Sequence, residues 1–407
     1  MINLLEIRKE KKLDFVFPAL GSTKRFNDNA AVFINLYYKD TLSLYLPYIK
    51  EACRVSRVYI ASSDDFVLGE LEKFVKKNKL SGLCRIIRKE NRGRDISALL
   101  IAFAPYIFKY KYICFLHDKD FLQYGVSNND REEWTFEYWD NLLASSYYID
   151  EVIRCFEDNP ELGMLVSPEH MGLYDNAYYR NCWDACFEGT KKLAEQLHLN
   201  LDLDINCRPP AVSTAFWTRT ECLKKLYQRG WKYEDFPDEP LPSPCISHYI
   251  ERLIGYLPQD SDMYTGTVQT ARNNSRLKEK SQDALIKCFD VLKDILAIDT
   301  VGSLNLYQKF IPSVNKYKAH HSDLYLYGAG QRGRKYLKWL TVNKIEIKGF
   351  IVSEKSKTDN YLGYPVYALD DIQIDESIGI IIAVSEKLAG QIENNLKIHG
   401  IHDYIKI

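Results

Sequence analysis

No apolar run in the sequence is long enough to cross a bilayer as a helix, which takes about 20 residues. The two longest apolar stretches, residues 97–108 and 378–384, are short and are broken by Pro105 or bounded by charged residues. An excess of one charge is also missing, because 54 basic residues face 55 acidic ones. Nucleic-acid-binding proteins usually carry a strong basic excess, so this balance argues against a nucleic-acid partner.

A disulfide framework and a secretory signal are missing as well. The ten cysteines are scattered between Cys53 and Cys288 rather than grouped at regular spacings. The first residues mix charged and apolar side chains and show no signal-peptide pattern. We therefore expect free thiols in a reducing compartment, which indicates a cytoplasmic location.

Short apolar runs alternate with amphipathic stretches from residue 30 onwards, which predicts a mainly parallel α/β sheet covered on both faces. The runs predicted to be the first buried strands are 30–36, 58–61, 84–87 and 112–116. A second such series begins at Asp323. We expect four regions, namely a leader at 1–28, an α/β domain at 29–275, a helical linker at 276–321 and a small Rossmann-like domain at 322–407.

The segment Asn91-Arg92-Gly93-Arg94-Asp95 follows the third predicted strand. Glycine permits a tight turn, and Asp95 is placed to cap the next helix. Helix N-termini favour anions, and arginine binds phosphate oxygens through two parallel hydrogen bonds. We therefore predict that this turn contacts a phosphate-bearing ligand. The alternative is a capping turn whose arginines lie in solvent.

The segment His117-Asp118-Lys119-Asp120 follows the fourth predicted strand. Ligands of open α/β sheets bind at the carboxyl ends of strands, so this segment and the Asn91 turn are expected to converge. Asp118 and Asp120 lie two residues apart, so on an extended chain both carboxylates reach one Mg²⁺ or Mn²⁺ ion. Lys119 or His117 is the alternative source of positive charge, and a solvated polar turn is the alternative to a site.

Acidic residues in a proline-rich loop are candidates for proton transfer. A group transfer to a hydroxyl needs a side chain that accepts the hydroxyl proton. We favour Glu239 for this role, followed by Asp235, against the alternative of an ordinary acidic loop.

Three polar residues further along the chain share one face of a predicted helix, namely His248, Glu251 and Arg252. Either His248 or Arg252 meets the phosphates, or the three side chains pair with one another for structural reasons.

The C-terminal region contains Gly328-x-Gly330-x-x-Gly333 between a predicted strand and a predicted helix, which is the context of a dinucleotide-binding turn. The acidic residue expected about 20 positions later, which binds the ribose of NAD, is missing. The glycines are therefore candidates for nucleotide or nucleotide-sugar binding, and NAD is disfavoured. A fold used for assembly is the alternative.

These motifs resemble the rhamnan synthesis protein F family of glycosyltransferases over residues from about 30 to 270. The segments that carry the resemblance are Asn91-x-Gly93-Arg94-Asp95, His117-x-Lys119, Ala215-Phe216-Trp217-x-Arg219, Asp235-Phe236-Pro237-x-Glu239 and His248-x-x-Glu251-Arg252. More loosely, the layout from Glu90 to Asp120 is similar to family 2 glycosyltransferases of the GT-A fold. Two departures are that family members often carry a histidine after the first strand, where this chain has Asn35-Leu36-Tyr37, and that many members lack the second aspartate that Asp120 supplies here.

The resemblance implies a GT-A-like, Rossmann-like domain that transfers a sugar from a dTDP- or UDP-linked donor, L-rhamnose being one candidate. The implied acceptor is a growing cell-surface polysaccharide or lipid-linked glycan at the inner face of the plasma membrane, with peripheral membrane association. Candidate donor contacts are Tyr37, Asp64, Asn91, Arg94, Asp95, His117, Lys119, His248 and Arg252.

Residues from about 322 to 407 resemble the small Rossmann-type domains of sugar-modifying proteins. Two rival functions stay open. One is an NAD-dependent sugar-nucleotide oxidoreductase or epimerase that works through the C-terminal glycine turn. The other is a non-catalytic scaffold of a polysaccharide assembly complex.

Overall fold

The computed structural model describes residues 13–119, 136–168, 183–354, 359–373 and 375–406. The chain divides into two compact units between Lys278 and Glu279, a point that lies within the helix Ala271–Leu296. Each unit is a mixed α/β structure with its own sheet, which confirms the predicted fold class.

The first unit contains an eight-stranded sheet in which the strands run parallel apart from β7. The strands are β1 (Asp14–Phe17), β2 (Ala30–Asn35), β3 (Arg57–Ser62), β4 (Cys84–Arg88), β5 (Tyr112–His117), β6 (Leu162–Val166), β7 (Phe216–Arg219) and β8 (Tyr264–Thr270). Their order across the sheet is β1-β8-β6-β7-β5-β2-β3-β4, and β7 is antiparallel to both of its neighbours.

Helices connect these strands. The α-helices are α1 (Leu42–Ala52), α2 (Asp65–Lys77), α3 (Arg94–Ser97), α4 (Ala104–Ile107), α5 (Asn141–Leu143), α6 (Ser146–Asp158), α7 (Phe187–Gln196), α8 (Lys224–Gln228), α9 (Ile246–Ile254) and α10 (Ala271–Leu296). Shorter turns are the π-helical segments Ala98–Ala102 and Phe136–Asp140 and the 3₁₀ segments Asp184–Cys186, Thr220–Leu223, Tyr233–Asp235 and Leu257–Ser261. None of the helices in the described ranges combines the length and apolar character that spanning a bilayer requires.

The sheet is buried on both faces, as a parallel sheet requires. In β2, Val32 and Ile34 pack into one core cluster and Ala31 and Phe33 into another, because successive side chains of a strand point to opposite faces. All six residues of β2 are buried. The polar groups of the site therefore lie where the strands end.

Two strands of the large sheet depart from the sequence prediction. Residues 14–17, which we assigned to a leader, form the edge strand β1 and pair in parallel with β8, which we had placed in no strand. The β8 sequence Tyr-Thr-Gly-Thr-Val-Gln-Thr lacks a continuous apolar run. Its place in the sheet comes from pairing with β6 and β1, which are distant in the sequence.

The second unit contains a five-stranded sheet of order β11-β12-β10-β9-β13. Its strands are β9 (Asp323–Tyr327), β10 (Gly349–Val352), β11 (Asn360–Tyr361), β12 (Tyr364–Ala368) and β13 (Ile378–Ile382), and its helices are α11 (Val301–Lys318), α12 (Gln331–Val342), the 3₁₀ turn Leu369–Asp371 and α13 (Glu386–Ile398). The short β11 is antiparallel to β12, whereas β12, β10, β9 and β13 pair in parallel.

Candidate active site

A cavity of about 430 Å³ lies at the carboxyl ends of β2 and β5. From β2 the chain proceeds to β3 and β4 on one side, whereas β5 lies on the other side of β2. Such a switch point is where open α/β sheets bind ligands. The cavity is lined by Asn35, Tyr37, Tyr38, Ser63, Lys89, Asn91, Arg94, Asp95, His117, Asp118, Lys119 and Glu239. We call it the first cavity.

The turn that carries Asn91 and Arg94 depends on a glycine. Gly93 has φ +69°, in the left-handed region, and a Cβ added there would lie 2.6 Å from Cγ of Phe236. Arg94 also has a positive φ, of +47°. Left-handed backbone is costly for a residue with a side chain, and such strain persists where surrounding structure holds it. The turn is therefore fixed by its contact with a loop more than 140 positions away.

The same loop is bound by both arginines of the turn. Nε of Arg92 donates to the carbonyl oxygen of Phe236 at 2.6 Å. Arg94 donates from Nε and Nη2 to the two carboxylate oxygens of Glu239, at 2.9 and 2.8 Å. This bidentate contact holds the pKa of Glu239 below its usual value. Glu239 therefore fixes the Arg94 guanidinium and is weakened as a base.

Asp118 shapes the loop that follows β2. Its Oδ2 accepts hydrogen bonds from the backbone N–H groups of Tyr37 and Tyr38, both at 2.7 Å. The residue is only 4 % exposed, and this burial raises the pKa of its carboxyl to about 7. Asp118 thus positions the predicted donor contact Tyr37 as part of the cavity wall.

His117 is held in one orientation by carbonyl oxygens. Its Nδ1 lies 2.7 Å from the backbone oxygen of Asp118, and its Nε2 lies 2.8 Å from that of Ser213. The Oδ2 atom of Asp95 is 4.0 Å from Nε2. With both ring nitrogens within hydrogen-bond distance of carbonyl oxygens, His117 is held in place as part of the cavity wall.

Lys89 is a site residue that the sequence predictions missed. It directly follows β4, is 7 % exposed and donates from Nζ to the carbonyl oxygen of Glu90 at 2.6 Å. Burial lowers the pKa of its ammonium group to about 8, although Asp95, Glu90 and Glu239 oppose the shift. Its position directly after β4, two residues before the Asn91 turn, is the signal that should have identified it.

A second cavity, of about 420 Å³, adjoins the first. The two share Arg94, Asp95, His117 and Lys119. The other lining residues of the second cavity are Ile96, Tyr138, Arg208, Val212, Ser213, Thr214, Leu241, Ser247, His248, Glu251 and Arg252. The predicted donor contacts His248 and Arg252 thus lie in the second cavity and not among the lining residues of the first.

The α9 residues in the second cavity have distinct local roles. Nδ1 of His248 accepts a hydrogen bond from the backbone N–H of Cys245 at 3.1 Å, so this ring caps the helix. Burial lowers the pKa of His248, and the charge of Arg252 adds to the effect. Nη1 of Arg252 donates to Oε2 of Glu251 at 2.6 Å, and Nη2 lies 3.4 Å from Asp184.

Two predicted site residues fall elsewhere. Asp64 caps α2 by accepting from the Val67 N–H at 2.9 Å, while its neighbour Ser63 lines the first cavity. Asp235 accepts from the Lys232 N–H at 2.8 Å, lies 3.3 Å from Arg229, and is absent from the described lining of both cavities. Asp120 lies outside the described residues.

Metal binding stays a prediction. Among the described residues, no group of three histidine, cysteine, aspartate or glutamate side chains is arranged to hold an ion. Oδ2 of Asp118 accepts from the backbone amides of Tyr37 and Tyr38, which leaves Oδ1 as the candidate metal ligand of this residue. Its predicted partner ligand, Asp120, is not described.

The predicted glycine turn of the second unit lies at the carboxyl end of β9. Gly328 has φ +124°, and a Cβ there would lie 2.6 Å from Cγ1 of Val384. A Cβ on Gly333 would collide with the carbonyl oxygen of Gly328, so this pair keeps α12 against the strand. A Cβ on Gly330 would meet no atom within 4 Å. An open cavity of about 610 Å³ lies beside Gly328.

Comparison with known protein families completes this description. The family model described as rhamnan synthesis protein F matches residues 2–263, which is more than half of the 407-residue chain. No curated protein matches the sequence. The match covers β1 to β7, the turn that carries Arg92 and Arg94, and the α9 residues of the second cavity. The chain belongs to the rhamnan synthesis protein F family.

Proposed function

We propose that the chain is a glycosyltransferase of GT-A-like fold that moves a sugar from a nucleoside-diphosphate donor to a cell-surface polysaccharide or lipid-linked glycan. L-rhamnose is our first candidate for the sugar. Family membership supports a role in rhamnan synthesis. The observation that carries the transfer chemistry is the convergence of Lys89, Arg94 and Lys119 on one cavity at the switch point of a parallel sheet.

In the proposed reaction the acceptor oxygen displaces the nucleoside diphosphate from the anomeric carbon. Negative charge develops on the leaving diphosphate, and fixed cations stabilise it. Arg94 presents two N–H groups to phosphate oxygens, while Lys89 acts as a compact charge. Glu239 accepts from Nε and Nη2 of Arg94 and so keeps the guanidinium aligned, while the other N–H groups of Arg94 are the ones that contact phosphate oxygens.

The remaining donor contacts are assigned by their places in the first cavity. Tyr37, Asn91 and Asp95 line it and are the candidates for the ribose, the base or the sugar. A divalent ion held by Asp118 and Asp120 would add Lewis-acid charge at the diphosphate. We place the reaction in the cytoplasm at the inner face of the plasma membrane, where lipid-linked acceptors of such pathways are made.

Calorimetric titration tests the proposal. The protein is titrated with dTDP-rhamnose, UDP-glucose, UDP-galactose, GDP-mannose and NAD, each with and without Mn²⁺. We expect saturable binding of one sugar nucleotide that is lost in Arg94→Ala. The matched control is Arg54→Ala, because Arg54 has the same 51 % side-chain exposure and also pairs with a glutamate, Glu51.

Each outcome separates the rival functions. Binding of a sugar nucleotide that both arginine variants retain would remove the first cavity from the proposal. Binding of NAD alone would move the chemistry to the C-terminal glycine turn. Failure of every nucleotide to bind would favour the scaffold.

A further inference from the structure

The second cavity has the size and position of a site for a second substrate. Its volume of about 420 Å³ falls in the range of about 300–1,000 Å³ that small-molecule sites occupy. It shares Arg94, Asp95, His117 and Lys119 with the first cavity. A molecule in the second cavity would therefore lie directly beside one in the first.

A buried hydroxyl in the wall of the second cavity indicates a polar ligand. Ser247 is 7 % exposed, and its Oγ has no hydrogen-bond partner among the described residues. Leaving a buried hydroxyl unsatisfied costs about 1–3 kcal/mol. A ligand with hydroxyl groups would supply the partner. Ile96, Val212 and Leu241 add an apolar side to the same wall, which suits the C–H face of a sugar ring.

Glu251 is the carboxylate of this cavity that is best placed to accept a proton. Its side chain is 24 % exposed, and its contact with Arg252 uses Oε2. Within the described residues Oε1 has no hydrogen-bond partner. Burial raises the pKa of Glu251 above its usual value, although Arg252 and Lys119 oppose the shift.

The comparison with Glu239 favours Glu251. Both oxygens of Glu239 accept hydrogen bonds from Arg94, and the pKa of Glu239 is lowered. A carboxylate with a raised pKa accepts a proton more readily than one with a lowered pKa. Glu251 also interacts electrostatically with Lys119, Asp95 and His117, which line both cavities, so its carboxylate lies near their shared wall.

We propose that the second cavity binds the terminal sugar of the acceptor and that Glu251 is the catalytic base, an inference that rests on the glycosyltransferase function. The acceptor hydroxyl oxygen forms a bond to the anomeric carbon of the donor. The bond from that carbon to the diphosphate oxygen breaks, and its electron pair leaves with the diphosphate. The hydroxyl proton passes to Oε1 of Glu251. Ser247 donates to or accepts from another acceptor hydroxyl.

The first test measures binding separately from turnover. A p-nitrophenyl α-L-rhamnoside is titrated into the wild-type protein and into Ser247→Ala. Each titration is done with and without the nucleoside diphosphate of the sugar nucleotide that binds in the calorimetric titration above. We expect saturable binding that Ser247→Ala weakens about 3- to 10-fold, from the loss of one hydrogen bond. Ser281→Ala, which removes an exposed serine hydroxyl from α10, is the control. Absence of glycoside binding to the wild-type protein would overturn the assignment of the cavity.

The second test measures turnover and donor binding in Glu251→Gln and Glu239→Gln. We expect Glu251→Gln to lower kcat by roughly 100-fold or more, the usual contribution of a general base, with donor Kd within twofold of wild type. Glu239→Gln should change donor affinity and keep most of kcat. A folded Glu251→Gln protein that binds both substrates and retains wild-type kcat would overturn the role of Glu251.

A pH profile covers the case in which Glu251→Gln does not fold. A base must be deprotonated to work, so wild-type kcat/KM should fall as pH falls, with an apparent pKa above the ordinary value for glutamate. Glu251→Asp keeps a carboxylate, so its kcat/KM should also fall at low pH, but with a different apparent pKa. A wild-type kcat/KM that stays constant as pH falls would count against Glu251 as the base. Failure of the wild type to bind any sugar nucleotide would refute the glycosyltransferase function instead, while glycoside binding would still report on the second cavity.

Discussion

Each of the two sheets has a glycine turn after one of its strands, and the two turns border cavities that differ in charge. In the first unit, the Gly93 turn borders a cavity lined by the charged residues Lys89, Arg94, Asp95, Asp118, Lys119 and Glu239. In the second unit, the described residues that line the cavity beside Gly328 include none with a charged side chain. The difference shows that a glycine turn after a strand establishes the local fold, whereas the side chains around it determine the charge of the adjoining cavity.

The surroundings of the two turns explain this difference. Arg94 extends from the first turn and contacts Glu239, which also lines the first cavity. At the second turn, Nη1 of Arg332 donates to the carbonyl oxygen of Val384, and the Tyr361 hydroxyl donates to the carbonyl oxygen of Gly330. The arginine of the second turn therefore binds backbone of its own unit.

Gly93→Ala should damage both the fold and the site. The left-handed φ of +69° and the contact with Phe236 would cost about 1–3 kcal/mol of unfolding free energy. Displacement of the turn would also remove donor binding, because the turn carries Asn91 and Arg94. Thermal unfolding and calorimetric titration measure the two effects. Gly82→Ala is the matched control, since a Cβ on Gly82 meets no atom within 4 Å. Unchanged donor affinity in Gly93→Ala would contradict the role of the turn.

Lys89→Met should weaken donor binding without moving the turn. A hydrogen bond to a charged group is worth about 1.5–3 kcal/mol, which corresponds to roughly a 10- to 100-fold rise in donor Kd. Lys335→Met is the control, because burial also lowers the pKa of Lys335, which belongs to the second unit. Equal donor affinity in the two variants would exclude Lys89 from the site.

The pH dependence of donor binding tests the same lysine. Burial lowers the pKa of Lys89 to about 8, so its charged fraction falls as pH rises through that value. Donor affinity of the wild type should therefore decline between about pH 7 and pH 9. Lys89→Arg should remove the decline, because arginine stays protonated. A decline of the same size in Lys89→Arg would assign the titration to another group.

Asp118→Asn should have a smaller, pH-dependent effect on stability. The pKa of Asp118 is raised to about 7, so the folded protein holds the proton more tightly than the unfolded chain, and stability falls as pH rises from about 4 through 7. Asparagine keeps an oxygen for the Tyr37 and Tyr38 amides and never ionises. We expect the Tm difference between the variant and wild type to be about 2–4 °C more favourable to the variant at pH 8 than at pH 5. An equal difference at both pH values would contradict this.

The sequence predicted the parts of the site that depend on strand ends. Alternating apolar runs located β2 and β5, and the rule that ligands bind at carboxyl ends brought Asn91, Arg94 and His117 together in advance. The roles that we propose for Lys89 and Glu251 were not predicted from the sequence. A lysine that ends a strand and a glutamate on an amphipathic helix have common sequence patterns, and their environments arise only from tertiary packing.

The contact between the Asn91 turn and the loop that carries Glu239 could not be predicted from the sequence either. Arg94 and Glu239 were predicted as a phosphate contact and a base, but 145 positions of chain separate them, and no local pattern indicates that they bind each other. For the same reason β1 and β8 were missed, since each is held by strands far away in the sequence. Charge and periodicity thus located the site, whereas the pairing of charges within it required the fold.

Gly330→Ala should have the smallest effect, and it tests directly whether the C-terminal turn differs from the Gly93 turn in donor binding. Gly330 has ordinary extended backbone with φ −129°, and a Cβ there meets no atom within 4 Å. Alanine restricts the unfolded chain, which is worth about 0.4–1 kcal/mol, but Gly330 is the N-cap of α12, where alanine is disfavoured by a similar amount, so stability should stay within about 1 kcal/mol of wild type. Gly328→Ala, two positions earlier, should lower stability, because its φ of +124° and its contact with Val384 leave no room for a side chain. Both variants should bind the sugar nucleotide like wild type, which calorimetry measures beside thermal unfolding. Loss of donor binding in Gly330→Ala would mean that the C-terminal turn takes part in donor recognition, and the contrast between the two turns would then fail.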